Sequence, residues 1–124
     1  MKRFEFSVML FLAFFVLCQW AQAVDMAAIR TAAEQGNPQA QTTLGGLYHH
    51  GQGVGQSDTE AAKWYLLAAE QGHAGAQMII GMLFLQGQGV EQDDAKARYW
   101  LRRSAAQGEM TAQRQLDLLG RNRE

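Results

Sequence analysis

Apolar residues in this chain fall on helical stripes of two kinds, and the two kinds alternate. The first kind runs from about Pro38 to His50 and again from about Ala74 to Gln86. With Ala76 set at zero, Ala76, Ile80, Leu83 and Phe84 fall within a sector of roughly 100°, the width of a stripe that faces a core. The second kind starts near Asp58 and near Asp94. There Ala61, Trp64, Tyr65 and Ala68 share one face, and Ala97, Trp100, Leu101 and Ser104 are their equivalents.

Glycine marks the intervals. Ala33-Glu34-Gln35-Gly36 returns as Ala69-Glu70-Gln71-Gly72 and in part as Ala106-Gln107-Gly108, so Gly36, Gly72 and Gly108 lie 36 residues apart. Ala40-Gln41 returns as Ala76-Gln77 and Ala112-Gln113, Leu44 as Ile80 and Leu116, Tyr48 as Phe84, and Gly51-Gln52-Gly53-Val54 as Gly87-Gln88-Gly89-Val90. Fixed self-similarity at this period is the signature of a repeat array. Each unit is predicted to be two helices. Gly51 and Gly87 suit the left-handed position that ends the first helix, and Gly72 and Gly108 end the second. Ser57-Asp58-Thr59-Glu60 predicts a capping box, with Ser57 as N-cap and Glu60 reaching back, whereas Asp93 caps the second copy with Lys96 in the place of the glutamate. Val54 and Val90 are expected to tuck under their loops. Pro38 opens a first helix, where a missing N–H costs nothing.

These residues resemble the Sel-one-like repeat family, relatives of the tetratricopeptide repeat with a longer, glycine-bearing loop between the helices. The resemblance rests on the Ala-Glu-Gln-Gly turn, Leu44-Gly45 and Ile80-Gly81, Tyr48, the Gly-x-Gly-Val loops, Asp58, Asp94, Trp64 and Trp100, and it covers roughly residues 25–119. It implies an all-α fold, an α–α superhelix of about five helices forming two full repeats plus capping helices, used for protein–protein contact and not for catalysis. Some secreted members staple each repeat with a disulfide. Here no repeat carries a cysteine.

The organisation expected along the chain starts with a signal peptide over 1–23. Lys2 and Arg3 give a positive start, Val8 to Leu17 is an unbroken apolar run, and Ala21-Gln22-Ala23 is a small-x-small cleavage site, so cleavage is expected after Ala23. An uncleaved anchor is the alternative. Cys18 does not make a lipoprotein signal, because Leu17 stands where a small residue is needed. A repeat domain over 24–124 follows: an N-terminal capping helix (24–36, with Met26 and Ile29 as its larger apolar residues), repeat 1 (37–72), repeat 2 (73–108), and a C-terminal capping helix and tail (109–124, with Leu116 and Leu119 facing inward). Cleavage removes the only cysteine and changes the formal charge from −1 to −2. A mildly acidic chain of this size gives no electrostatic case for nucleic acid.

Candidate chemistry is sparse, and no catalytic residue, cofactor or metal is assigned. After cleavage the only serines are Ser57, at a cap, and Ser104, on a core face, and no nucleophile, base and orienting group stand together. His49 and His50 point about 100° apart on one helix, so a shared ion would need a third ligand; with His73 they are expected to be solvated histidines near helix ends. Gly51-x-Gly53-x-Gly55 lacks the strand and the Lys-Ser/Thr of a P-loop, and its recurrence marks a structural loop. Arg98, Arg102 and Arg103 make a basic face, with Asp94 expected to pair with Arg98; the choice is between a solvated convex surface and a dock for an acidic partner.

One helix departs from the pattern. Met78, Met82 and Leu85 fall at about 200°, 240° and 180°, opposite the core stripe, so the helix from Ala74 to Gln86 is apolar nearly all round. The equivalents in repeat 1, Thr42, Gly46 and His49, are small or polar. In tetratricopeptide-like arrays the first helices line the concave surface, so Met78, Met82 and Leu85 are expected to form a greasy patch in the groove, with Thr43, Gly46, His49 and His50 as its polar neighbour. The alternative is that this helix is simply central in the core. The favoured function is a non-enzymatic scaffold or adaptor in the bacterial envelope, periplasmic or secreted, that grips a protein or peptide. The resemblance also allows a periplasmic immunity protein against a toxic effector, and less readily an envelope enzyme such as a cell-wall hydrolase or penicillin-binding activity, or a folding factor with many clients.

Overall fold

The computed structural model describes residues 2–122, which form six α-helices and, among the described residues, no strand: α1 (Lys2–Glu34), α2 (Pro38–His50), α3 (Asp58–Glu70), α4 (Ala74–Gln86), α5 (Asp94–Ala106) and α6 (Met110–Arg121). The side chains of Lys2, Arg3, Phe4, Phe6, Gln22, Ala23 and Val24, and residues Met1, Arg123 and Glu124, lie outside the described set. Six helices replace the expected five, because each full repeat contributes two and each end contributes one more. No helix break separates the apolar segment from the expected capping helix. The stretch Ala21–Ala33 has neither glycine nor proline, and α1 runs through it unbroken.

The helix ends follow from their residues. Asn37, Ser57 and Asp93 hold extended backbone and accept the N–H of Ala40, Glu60 and Lys96, the third residue of each helix. Gly51 and Gly87 close the first helices at φ 67° and 65°, a conformation that costs glycine nothing. The capping box is half right. Ser57 Oγ accepts the Glu60 N–H at 3.2 Å, but Glu60 binds Lys63 Nζ at 2.9 Å, and the Ser57 N–H goes to Tyr48 O at 2.9 Å. The loop returns to the end of α2, so a backbone carbonyl reaches that N–H before the glutamate does.

Each helix packs on the next in sequence, and the tightest pairs are the two within a repeat, α2 with α3 and α4 with α5. The closest approach within each pair is at a glycine. A methyl on Gly45 would lie 3.0 Å from the Tyr65 ring and 3.2 Å from Ala61 O; on Gly81 it would lie 2.8 Å from Leu101 Cγ and 3.2 Å from Ala97 O. The core is built from α3, α4 and α5: Ala61, Ala62, Tyr65, Ala68, Ala69, Ala76, Ile80, Leu83, Phe84, Ala97 and Trp100 are buried together, with Ile79, Leu85 and Val90 packed against them. Trp100 is buried, whereas its equivalent Trp64 is only half-buried. Small residues dominate this core because the helix axes come close, leaving room for few large side chains.

Candidate binding face

Glutamines fix how the helices stack. Gln41 is buried and donates from Nε2 to Ala33 O at 3.0 Å; one period later Gln77 donates to Ala69 O at 3.1 Å. Those carbonyls also accept the N–H of Gly36 and Gly72, so both lone pairs at each helix end are used. A second glutamine then binds the first: Gln71 Nε2 donates to Gln41 Oε1 at 2.7 Å, and Gln107 Nε2 to Gln77 Oε1 at 2.8 Å. The recurrence of these glutamines is visible in the sequence. Their bonds join residues 30 apart and become neighbours only once the helices stack.

The first helices α2, α4 and α6 start in the same register, at Pro38, Ala74 and Met110. Corresponding positions on their outer face are therefore Thr42, Met78 and Arg114; Gly46, Met82 and Leu118; and His49, Leu85 and Arg121. Met78, Met82 and Leu85 are half-buried, and Leu85 also touches the core. Thr43 and His50 are exposed, and Gly46 and His49 are half-buried. On α6 the row continues with exposed Arg114 and Arg121 around Leu118, which is 45% exposed. Tyr65 lies beneath Gly46, whose added methyl would meet the phenol oxygen at 3.4 Å, and burial pushes the Tyr65 hydroxyl above its ordinary value of 10.0.

The histidines are held, not solvated as a group. His49 Nδ1 lies 3.1 Å from Asp58 Oδ1, and Asp58 also accepts Gln56 Nε2 at 3.0 Å and Gln88 Nε2, from the next repeat, at 3.3 Å. His73 is the N-cap of α4. Its Nδ1 accepts the Ala76 N–H at 3.1 Å, which leaves Nε2 to carry the proton and donate to Gln39 Oε1 at 2.9 Å. Only His50 is exposed. Among the described residues no three His, Cys, Asp or Glu side chains gather as a metal site. Both serines of residues 24–124 are engaged, Ser57 with the Glu60 N–H and Ser104 with Ala74 O at 2.8 Å.

On the basic face, no ion pair joins Asp94 to Arg98 among the described residues, contrary to expectation. Arg98 is half-buried, and its Nε is buried with no hydrogen-bond partner. Arg103 instead lies over Tyr99 and Trp100 and donates to the Tyr99 hydroxyl at 2.8 Å. Two concavities of about 430 Å³ flank the array. One is bounded by Asp25, Met26, Ile29, Leu47, Gln52 and Gly53, the other by Phe84, Val90, Glu91, Gln92, Asp93 and Lys96.

Known proteins share this architecture. A Sel1 repeat protein from Oxalobacter formigenes is 39% identical with a TM-score of 0.71, over 72% of this chain and 67% of that one. The protective antigen c5321 of uropathogenic Escherichia coli, which displays an SLR fold, is 41% identical with a TM-score of 0.72 over 73% of this chain; the match spans only 20% of that larger protein. Helicobacter pylori cysteine rich protein B, at 22% identity and a TM-score of 0.68 over 70% of this chain and 65% of that one, shares the fold alone. No curated protein matches the chain. The Sel1 repeat profile matches residues 38–73 and 74–109 in succession, more than half of the sequence, and the chain belongs to the Sel1 repeat family.

Proposed function

We propose that this chain is exported to the bacterial envelope and acts there as a non-enzymatic scaffold. It holds a protein or peptide on the face built by its first helices. Sel1 repeat proteins are generally protein–protein interaction scaffolds. The observation that carries the reading is the state of Met78 and Met82: both remain half-exposed on a helix whose other faces are already buried against neighbours. Methionine repacks easily, which suits a surface that must fit a partner. Thr43, Gly46, His49 and His50 supply the polar side of the same face. Export is supported by α1, whose most apolar window has a mean hydropathy of 1.9 and no residue buried in the fold. A small dedicated inhibitor, such as an immunity protein, is a special case of this reading, with a toxic effector as the partner.

A photocrosslinking amino acid at position 82, in the protein expressed in its own host, is expected to give a discrete adduct with one polypeptide. Met82→Asp is expected to abolish partner binding while moving the thermal midpoint little. A variant that unfolds returns Met82 to the core, and crosslinking spread over many unrelated proteins, or absent, removes the reading.

A further inference from the structure

Each end of the array carries a helix face that is covered in the interior. α6 has the register of a first helix and packs on α5, but among the described residues no second helix follows it to complete the unit. Asp25–Glu34 of α1 has the register of a second helix, and α1 packs chiefly on α2. These open faces are complementary in kind: α6 of one copy and Asp25–Glu34 of another would together make up a repeat. Such a contact is head-to-tail and does not close, so it leads to chains of copies.

Two residues stand in the way. In both repeats the helices meet closest where a glycine faces a main-chain carbonyl and a large side chain: Gly45 against Ala61 O and Tyr65, Gly81 against Ala97 O and Leu101. One period after Gly81 the residue is Asp117, and one period before Ala61 it is Asp25, with Ile29 in the place of Tyr65. At Gly81 a methyl alone would come to 2.8 Å of Leu101 Cγ. A carboxylate at that point would be pressed, out of water, against a carbonyl oxygen and beside a second carboxylate. Burying an unpaired charge is among the costliest things an interface does. Gln113 turns the same way. Its equivalents Gln41 and Gln77 reach back to the preceding helix, but Gln113 Nε2 donates to Asp117 Oδ1 at 2.9 Å, so the amide and the carboxylate hold each other at the surface.

We propose that Asp117, with Asp25 opposite it, stops the array: no further second helix stacks on α6, whether it comes from another copy or from elsewhere in a longer chain. The stop limits the face described above to three first helices, α2, α4 and α6, and keeps the protein from growing end to end. This inference does not rest on what that face binds.

The test uses the full-length chain expressed with export and purified from the envelope in its processed form, with its mass followed by sedimentation equilibrium over a wide range of concentration. The wild type is expected to keep the mass of one chain throughout. Asp117→Gly with Asp25→Ala, which restores the glycine–alanine contact of the repeats, is expected to rise with concentration to the mass of dimers and longer chains, and adding Ile29→Asp is expected to return it to one chain. A wild type that already grows end to end, or a double variant that stays single at unchanged helicity, overturns the proposal. A second measurement is independent of self-association. A copy of residues 87–108, carrying the loop and α5, is joined after Asn122. With Asp117 in place this added helix is expected to be cut readily by protease; with Asp117→Gly it is expected to be protected. Protection in the presence of Asp117, or none with glycine, overturns the proposal.

Discussion

α4 and α6 are the same helix by register, one held between neighbours and the other covered on one side. Ala76 and Ala112 are both fully buried, so the face turned to the preceding helix is kept in each. Beyond that face the two diverge. Ile80 and Leu83 are buried, and their equivalents Leu116 and Leu119 are half-buried. Gln77 is buried and bonds a neighbour's carbonyl, while Gln113 is exposed and bonds its own helix. Phe84 becomes Gly120, and Gly81 becomes Asp117. The same frame thus encodes an interior helix or a terminal one through the residues on one flank, because a solenoid helix is stabilised only by its nearest neighbours.

The strongest way to break the comparison is to give α4 the flank of α6. Gly81→Asp would drive a carboxylate into the Leu101 side chain and the Ala97 carbonyl. With the second repeat at the centre of the core, the expected cost is about 4 kcal/mol or more, enough to abolish cooperative unfolding of the array. Urea titration followed by tryptophan fluorescence reads this directly, since Trp100 is in the core and Trp64 is half-buried on α3. A cooperative transition at the wild-type midpoint would mean that this glycine is not what distinguishes α4 from α6.

A gentler contrast trims the same position in both helices. Ile80→Ala is expected to cost about 3–4 kcal/mol, since a fully buried side chain leaves a cavity in a close-packed centre. Leu116→Ala, at a half-buried site that relaxes into solvent, is expected to cost about 1 kcal/mol. Equal costs from the two denaturation curves would show that α6 is packed as an interior helix after all.

Much of this architecture was legible in the residues, and the unread part has a common cause. Helix boundaries could be read because they depend on local chemistry: Ser57 and Asp93 cap, Gly51 and Gly87 stop, and each acts within a few positions along the chain. What could not be read depends on stacking. Gln71 meets Gln41, and Gln107 meets Gln77, across neighbouring units, and no local rule announces that a recurring glutamine is a bridge. The return bond of Glu60 was lost to Tyr48 O for the same reason, and the expected Asp94–Arg98 pair gave way to an arginine half-buried by its surroundings. The candidate face was legible as a stripe opposite the core. How much of each methionine the neighbouring helices cover was not, because a helical wheel carries no neighbours.

The helix N-termini carry the contrast to its smallest scale. Asn37, His73 and Glu109 occupy one register position, and the first two side chains accept the N–H three residues on, whereas Glu109 makes no such bond. Histidine is an unusual cap, and its second nitrogen explains it: while Nδ1 caps α4, Nε2 ties that helix to Gln39 of α2. His73→Ala removes both and is expected to cost about 1 kcal/mol, a drop of roughly 5 °C in Tm. His73→Asn keeps the cap, loses the tie and is expected to fall between. Glu109→Asn would give α6 the cap it lacks, yet Tm is expected to hardly move, since α6 opens on its own before the centre does. The gain is expected in hydrogen exchange, with the amides of residues 113–119 slowing by about fivefold, the equivalent of about 1 kcal/mol of local stability. If Tm rises instead and the amides of the core helices slow together with those of α6, α6 unfolds only with the whole array, and the division between interior and terminal helix is not one of stability.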